Sequence, residues 1–307
     1  MKIKEYHNLF YLVFLFLMGI AITACTQNNA PQPGEVNVEY TPMHINLIRP
    51  IVEPEKIYRM HLWDSRYNYL PEEMTKMRNL RRLALDNVEI KDWERSSKVI
   101  SSFTNLEVLE IYSELPFLPF NPTKLKSLEK LDLMGSSGYN LEKAITKIEK
   151  LENLKVLFIG GLDVIEIPES ILKLKSLEEL DIGYHDEALD YRVALNLISR
   201  LPNLRALSID MASLTSIDES FKNLRHLNKI SFYDCEINLD EFFVMTKDWG
   251  NLEELVLEDM SVVELPSSIT QLQSLKSVSL YHNPYLDHAS LFRQLAKLPH
   301  LEELDIS

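Results

Sequence analysis

Residues 177–182 read LEELDI, and this spacing recurs along most of the chain. Leu180 and Ile182 alternate with Asp181, as residues of a short strand do when one face is buried. An eleventh, weaker copy of the pattern begins at Ile57 as IYRMHL. The ten strong copies start 22 to 27 residues apart, at Leu80, Leu106, Leu128, Leu154, Leu177, Leu204, Leu227, Leu252, Leu275 and Leu301. This period predicts a solenoid in which each unit buries its leucines against its neighbours.

The repeats resemble those of the leucine-rich repeat superfamily, and the resemblance covers residues 57–307. It implies an α/β solenoid, a leucine-rich repeat horseshoe whose strands stack into one parallel sheet on the concave side. Neighbouring strands of such a sheet lie about 4.8 Å apart. Because the superfamily serves many functions, the resemblance predicts the fold and leaves the function open.

The connecting segments alternate between short repeats of 22–23 residues and long repeats of 25–27 residues. Short repeats such as EIPESILKLKSL, which ends at Leu177, resemble the LPxxIxxLxxL form of the family. Two long repeats carry apolar residues at helical spacing: Leu141, Ile145, Ile148 and Leu151 in one, and Val193, Leu197, Ile198 and Leu201 in the other. We therefore predict helices on the convex side of every second repeat and 3₁₀-like turns on the others.

The family's asparagine ladder, which follows each strand, is poorly represented. Asn283 fits its position, and Cys235 fits as a substitute. Other repeats place residues of different chemistry there: Val88, Glu114, Leu162 and His185.

The N-terminus resembles a bacterial lipoprotein signal. Lys2 and Lys4 precede an apolar run at 9–20, which is too short for a membrane span, and the tetrapeptide ITAC ends at Cys25. The resemblance to a lipobox implies cleavage after residue 24 and lipid on Cys25. Thr26, where Asp would imply inner-membrane retention, predicts an outer-membrane lipoprotein on the periplasmic face or the cell surface. An ordinary secretory signal is the alternative.

Four segments follow from these patterns: a signal peptide at 1–24, a flexible tether at 25–40, an N-terminal cap at 41–56 and about eleven repeats at 57–307. The tether is polar and carries Pro31, Pro33 and Gly34. The sequence ends at Ser307, directly after the last LxxLxL pattern, without a C-terminal cap. We expect either a fragment or an exposed last strand.

Charge and motifs narrow the functional classes. The net charge of −14 disfavours nucleic acid as a partner. The sequence lacks GxSxG, HExxH, Walker and paired CxxC motifs. The triplet HDE at 185–187 has metal-binding side chains, but its polar surroundings favour solvated ones. Cys235 is alone in the mature chain if Cys25 carries lipid, and we expect it to be buried in a turn. We predict a protein that is not an enzyme and needs no cofactor or metal.

The outward positions of the strands carry aromatic and acidic residues, which predicts a recognition surface on the concave face. The aromatic candidates are Trp63, Tyr112, Phe158, Tyr184, Tyr233 and Tyr281. The acidic candidates, expected to be exposed and to steer a partner, are Glu110, Asp132, Asp181 and Glu258. The predicted function is recognition of a protein or other macromolecule on this face. A structural or scaffold role in the cell envelope is the alternative, and an enzyme is the third possibility.

Overall fold

The computed structural model describes residues 36–40, 53–160, 166–183, 189–214 and 219–307. The chain divides into two compact units, 1–37 and 38–307, and the second contains the repeats. The predicted signal peptide, the lipidation site Cys25, the tether up to residue 35 and residues 41–52 of the predicted cap lie outside the described residues. A short strand spans Val36–Tyr40.

Eleven strands, one from each repeat, pair in parallel in chain order within one sheet. They are β1 Ile57–Trp63, β2 Arg82–Asp86, β3 Val108–Tyr112, β4 Lys130–Asp132, β5 Val156–Phe158, β6 Glu179–Asp181, β7 Ala206–Asp210, β8 Lys229–Tyr233, β9 Glu254–Glu258, β10 Ser277–Ser279 and β11 Glu303–Asp305. The register aligns equivalent positions, so Leu157, Leu180 and Leu207 stand side by side. The predicted leucine-rich repeat solenoid with a parallel sheet is confirmed.

The inward residues of each strand form one continuous core. Leu177, Leu180 and Ile182 are fully buried, as the sequence pattern predicts. The buried cluster extends from Ile57 to Leu298 through every repeat. Complete burial of each such side chain contributes about 1.5–3 kcal/mol. Because the contacts run between neighbouring repeats, each repeat depends on the next for its stability.

Each long repeat contains one α-helix of eight residues. The helices are α1 Trp93–Ile100, α2 Leu141–Ile148, α3 Tyr191–Ile198, α4 Leu239–Thr246 and α5 His288–Leu295. Each follows an Asp or Asn whose side chain accepts a hydrogen bond from the backbone N–H of the third helical residue, at Asp92, Asn140, Asp190, Asn238 and Asp287. These side chains satisfy donors that the first turn leaves unpaired. They explain why all five helices begin at the same point of the repeat.

The short repeats are closed by 3₁₀ helices or simple turns, so the predicted alternation is confirmed. The 3₁₀ helices span Pro54–Lys56, Glu72–Lys76, Glu169–Lys173, Glu219–Leu224 and Ser267–Gln271. Two small sheets flank the strand ends, Arg66–Tyr67 with Glu89–Ile90 and Ser213–Leu214 with Glu236–Ile237.

One predicted helical core residue is wrong, because Val193 is 52% exposed. The Asp190 cap begins α3 at Tyr191, and the helical period then turns Ala194 and Leu195 inward. Leu197 and Ile198 are buried as predicted, as are the four residues expected in α2 and its end.

Two rows of hydrogen bonds link successive repeats at the ends of the strands. After the strands, Asn283 Nδ2 donates to Leu257 O at 2.7 Å and Cys235 Sγ to Ile209 O at 3.1 Å, as the sequence predicts. Ser136, which the sequence analysis did not identify, makes the same bond to Ile111 O. Leu162 and His185 lie outside the described residues.

The second row lies before the strands. Asn153 Nδ2 donates to Lys126 O at 2.8 Å, and the asparagine that precedes the first leucine of four other repeats does the same: Asn79, Asn105, Asn203 and Asn251. The recurring Asn-Leu dipeptide was the available sequence signal for this row.

Candidate functional site

The strand register places eight of the ten predicted concave-face residues on the side of the sheet opposite the core, and Tyr281 lies in the turn that follows β10. Tyr184 lies outside the described residues. At mid-strand, Glu110, Asp132, Phe158 and Asp181 stand next to one another on β3 to β6. At the strand ends, one row contains Trp63, Asp86 and Tyr112, and another contains Asp210, Tyr233 and Glu258.

The aromatic residues form two groups instead of one continuous patch. Tyr112 ends β3 and Tyr233 ends β8. Five strand intervals of about 4.8 Å put them roughly 24 Å apart. The first group is centred on Tyr112 and Phe158, and the second on Tyr233 and Tyr281. A partner that contacts both groups must span the middle of the sheet.

In the first group, ion pairs across the strands fix the polar side chains. Arg82 Nε and Nη2 each donate to a Glu110 oxygen at 2.9 Å, which gives a two-pronged contact. Lys130 Nζ lies 3.4 Å from Asp132 Oδ2 and 4.0 Å from Glu110 Oε1. These four residues form a connected network of fixed geometry.

The aromatic side chains of the first group are tied to this network. The Tyr112 hydroxyl donates to Asp132 Oδ2 at 3.1 Å. The Lys130 ammonium lies 4.1 Å from the centre of the Phe158 ring, a favourable cation–π geometry. Both rings remain partly exposed. They therefore present ordered surface to a partner at little cost in conformational entropy.

The predicted exposure of three acidic candidates is wrong. Glu110, Asp132 and Asp181 are only 3–4% exposed. Side chains and backbone groups on neighbouring strands cover them, and burial raises the pKa of Glu110 above its ordinary value. These residues organise the surface and cannot act as solvated steering charges. Glu258 remains partly exposed and accepts a hydrogen bond from Ser279 Oγ.

In the second group, Tyr233 stands between Asp210 and Glu258 in the register. The Tyr281 ring stacks on His282 with centroids 3.9 Å apart, and His282 Nδ1 lies 3.2 Å from Asp259 Oδ1. Both tyrosines are partly exposed. Trp63 occupies the equivalent strand-end position in β1 and packs on His61, with centroids 5.2 Å apart.

Between the two groups, glycines bring the repeats into close contact. A Cβ on Gly183 would lie 2.3 Å from the Asp210 Cβ, and a Cβ on Gly160 would lie 2.5 Å from Gly183 O. The bare backbone at Gly183 allows Asp210 to lie against it, while Gly183 N donates to Asp181 Oδ1 at 2.8 Å. Burial raises the pKa of Asp181 to about 7, and burial with the nearby Asp181 charge raises that of Asp210 further.

Several bases of the concave face form ion pairs with acids on neighbouring repeats. Arg81 pairs with Glu107 at 3.5 Å, and Arg82 pairs with Glu110. Further along the face, pairs of the same kind join Lys155 to Glu129, Lys229 to Glu254 and Lys276 to Glu253. These pairs neutralise much of the positive charge on the concave face.

Cys235 is buried, as predicted. Its thiol donates to Ile209 O, and burial raises its pKa to about 12. The thiol therefore stays protonated at neutral pH and has a structural role in the turn. Among the described residues, no group of three or more His, Cys, Asp or Glu side chains has metal-binding geometry. The triplet at 185–187 lies outside them. In the described part of the chain, the helices are too short or too polar to cross a bilayer.

Comparison with known proteins agrees with this architecture. Residues 112–307 match the leucine-rich repeat region family. A probable disease resistance protein of Arabidopsis thaliana is 30% identical over 224 residues, which cover 70% of this chain and 25% of that protein. The chain thus spans about a quarter of that relative's length.

Two solved structures also resemble the chain. A leucine-rich repeat protein of Leptospira interrogans shares 20% identity with a TM-score of 0.43, covering 81% of this chain and 72% of that one. Internalin C2 of Listeria monocytogenes shares 19% identity with a TM-score of 0.40, covering 61% and 74% respectively. The family match and the observed repeats agree: the chain belongs to the leucine-rich repeat family, whose members generally serve as protein-interaction modules and typically not as enzymes.

Proposed function

We propose that this protein is a lipid-anchored, extracytoplasmic binding protein of the bacterial envelope that recognises a protein partner on its concave face. One observation carries the recognition part of the proposal. Partly exposed aromatic side chains occupy the same position in four repeats, six residues after the first residue of the repeat, at Trp63, Tyr112, Tyr233 and Tyr281. Rigid aromatic side chains on a surface of this kind commonly provide most of the binding energy of an interface.

The geometry around these rings also favours binding. Hydrogen bonds and ion pairs hold Tyr112, Phe158 and their acidic neighbours in place before any partner arrives. Preorganisation of this kind lowers the entropy lost on association. In contrast, the convex helices present charged and polar side chains interrupted by isolated apolar residues such as Val193 and Val244, which need no functional explanation.

The recognition proposal is tested with the full-length protein purified in detergent. Partners are captured from envelope and extracellular fractions, identified and produced recombinantly. The kinetics of their binding to the protein are then measured. Tyr233→Ala should raise the dissociation rate and weaken binding by about 2 kcal/mol if Tyr233 is a hot spot. Lys143→Ala, an exposed change on the convex helix α2, is the matched control.

Unchanged binding by both Tyr112→Ala and Tyr233→Ala, together with loss on changing convex residues, would contradict the concave-face proposal. Capture of structural envelope components alone would indicate the scaffold role in place of a receptor. Turnover of a captured molecule would instead indicate an enzyme.

The membrane-anchor proposal rests on the sequence alone, through the apolar run and the ITAC tetrapeptide that ends at Cys25. Several acyl chains on one cysteine would hold the protein firmly to a membrane. Cys25→Ser should abolish incorporation of labelled fatty acid and release the protein from the outer-membrane fraction. A variant that keeps both its label and its membrane fraction contradicts the lipidation site.

A further inference from the structure

The acids of the concave face that lack a cation are concentrated on β6 and β7. Glu178, Glu179 and Asp181, with Asp210 on the next strand, take part in none of the ion pairs found among the described residues. Arg205 is the nearby base, and its Nη1 lies 3.4 Å from its neighbour's carbonyl oxygen, Leu204 O. Four acids and one base make the centre of the face acidic, and because burial raises the pKa of Asp181 and Asp210, a bound cation would favour the charged forms of both.

A second observation points to a missing donor. Asp210 is 1% exposed, and its Oδ1 has no hydrogen-bond partner. The Asp210 side chain lies against Gly183, whose N–H already donates to Asp181 Oδ1. On the adjacent strand β8, the buried Ser231 hydroxyl also lacks a partner. Leaving a buried carboxylate oxygen unpaired is costly, so a donor with positive charge would be stabilised here.

Elsewhere on the concave face, one lysine contacts both an acid and an aromatic ring. At β4 and β5, the Lys130 ammonium lies 3.4 Å from Asp132 and 4.1 Å from the centre of the Phe158 ring. Asp210 and Tyr233 form a comparable pair, an acid beside an aromatic residue on the neighbouring strand. No lysine or arginine of the described chain forms an ion pair with Asp210.

The charges around Asp210 and Tyr233 also favour a cation at this position. Burial raises the pKa of Asp210, and Asp181, Glu258 and Asp132 raise it further. The Tyr191 hydroxyl at the start of α3 is also buried without a hydrogen-bond partner, and burial raises its pKa, with smaller contributions from Cys235, Asp210 and Asp181. Lys130 partly counters the charge at Asp181, but Asp132 and Glu110 already engage its ammonium group.

We propose that the concave surface over β6 and β7 is the docking site for a lysine- or arginine-bearing segment of the protein partner. The cationic group is directed at Asp181 and Asp210, and Glu178 and Glu179 attract it from the adjoining surface. Tyr233, beside Asp210, supplies an aromatic neighbour for its stem or charge. This inference rests on the proposed function, because it names the chemistry of the partner on the same face.

The test uses fluorescein-labelled hexalysine and hexaarginine with the full-length protein in detergent, followed by fluorescence anisotropy at 50 and 300 mM NaCl. The variant E178Q/E179Q/D181N should bind both peptides at least tenfold more weakly at low salt. The matched control E302Q/E303Q/D305N removes the same number of acids from the same face at β11 and should stay within twofold of the parent. Asp210→Asn should also weaken binding, and circular dichroism should show that all variants are folded.

Three results would overturn the proposal: no binding of either cationic peptide by the parent, equal weakening by the two triple variants, or equally tight binding of hexaglutamate. Calcium could also displace the peptides at an equivalent concentration of charge. If it does so, and if the Asp210→Asn variant loses direct calcium binding, the proposal is overturned in favour of a metal site. The test distinguishes this inference from the proposed function. If the cationic peptides do not bind, but Tyr233→Ala still weakens binding of the partner, only this inference is wrong. If the cationic peptides bind, but no protein partner depends on the concave face, the proposed function is wrong.

Discussion

At the scale of single residues, Gly183 and the two aspartates beside it set the character of the concave face. The glycine is needed for close approach, since any Cβ there would meet the Asp210 backbone within 3 Å. That approach buries both Asp181 and Asp210 and leaves the two carboxyl groups close enough to influence one another. One small residue therefore creates both the tight packing and the unusual electrostatics of this region.

Gly183→Ala should destabilise the protein by about 3 kcal/mol, at the upper end of the usual overpacking cost, because the contacted atoms belong to backbone and cannot move aside. Gly250→Ala is the control, since a Cβ there meets nothing within 4 Å. That change should alter stability by no more than about 0.5 kcal/mol. Urea denaturation of both variants measures the difference, and similar effects at the two glycines would contradict the close approach.

Asp181 makes stability depend on pH. Burial, reinforced by the Asp132 charge and partly offset by the Gly183 N–H, raises its pKa from 3.8 to about 7. The folded protein therefore holds a proton that the unfolded chain releases, and the unfolding free energy falls as pH rises through this window. Urea denaturation at pH 5 and pH 8 should show a less stable protein at pH 8.

An asparagine at position 181 cannot ionise. The Asp181→Asn variant should therefore lose part of the pH dependence of the unfolding free energy and be more stable than the parent at pH 8. Asp210 and Glu110 should contribute in the same direction, because burial also raises their pKa values. A variant with the full slope of the parent would show that Asp181 titrates normally.

At the scale of elements, the five helices are short units that rely on their first residues. Eight residues form a helix that is marginal in isolation, so packing and capping must stabilise it. In α2, Asn140 Oδ1 accepts from Lys143 N at 2.9 Å, and the apolar residues of one face reach the core. The asparagine row before the strands adds a hydrogen bond between repeats where five of the return segments end.

Asn140→Ala should destabilise the protein by about 1 kcal/mol, the usual cost of removing a side-chain cap. Asn140→Ser should retain most of the stability, because a serine hydroxyl accepts the same backbone hydrogen bond. Thermal unfolding compares the two variants, and hydrogen exchange should show faster exchange in the first turn of α2 for the alanine variant. Equal losses for alanine and serine would mean that the asparagine acts through another contact.

At the scale of the whole molecule, stability depends on contacts between neighbouring repeats. Leu180 is fully buried and stands in register with Leu157 and Leu207 on the adjoining strands. A cavity at this point weakens both repeat interfaces, while distant repeats share no contacts with it. Damage in a solenoid should therefore be strongest close to the altered repeat.

Leu180→Ala should cost about 2–5 kcal/mol through lost burial and the cavity left behind. Hydrogen exchange should increase most in β5, β6 and β7 and least in β1 and β11. Val193→Ala, at an exposed helical position, should stay within about 0.5 kcal/mol of the parent. Uniform loss of protection along the chain would contradict nearest-neighbour stability.

The sequence alone determined the solenoid, the parallel strands and the alternation of helices with tighter turns. These features follow from local spacing: LxxLxL specifies a strand with one buried face, and the length of each return segment decides whether it accommodates an eight-residue helix. The inward positions of α2 were also predictable. Val193 in α3 was misplaced because the start of the helix, set by the Asp190 cap, fixes which residues face the core.

The character of the candidate site was decided only by the tertiary structure. Whether Glu110 or Asp181 is exposed, and which base neutralises which acid, depends on side chains about 20 to 28 residues away that the register brings onto adjoining strands. The separation of Tyr112 from Tyr233 and the close approach at Gly183 likewise arise from stacking the repeats. Periodicity specifies the face on which a residue lies, but burial and charge on that face are properties of neighbours that only the assembled sheet brings together.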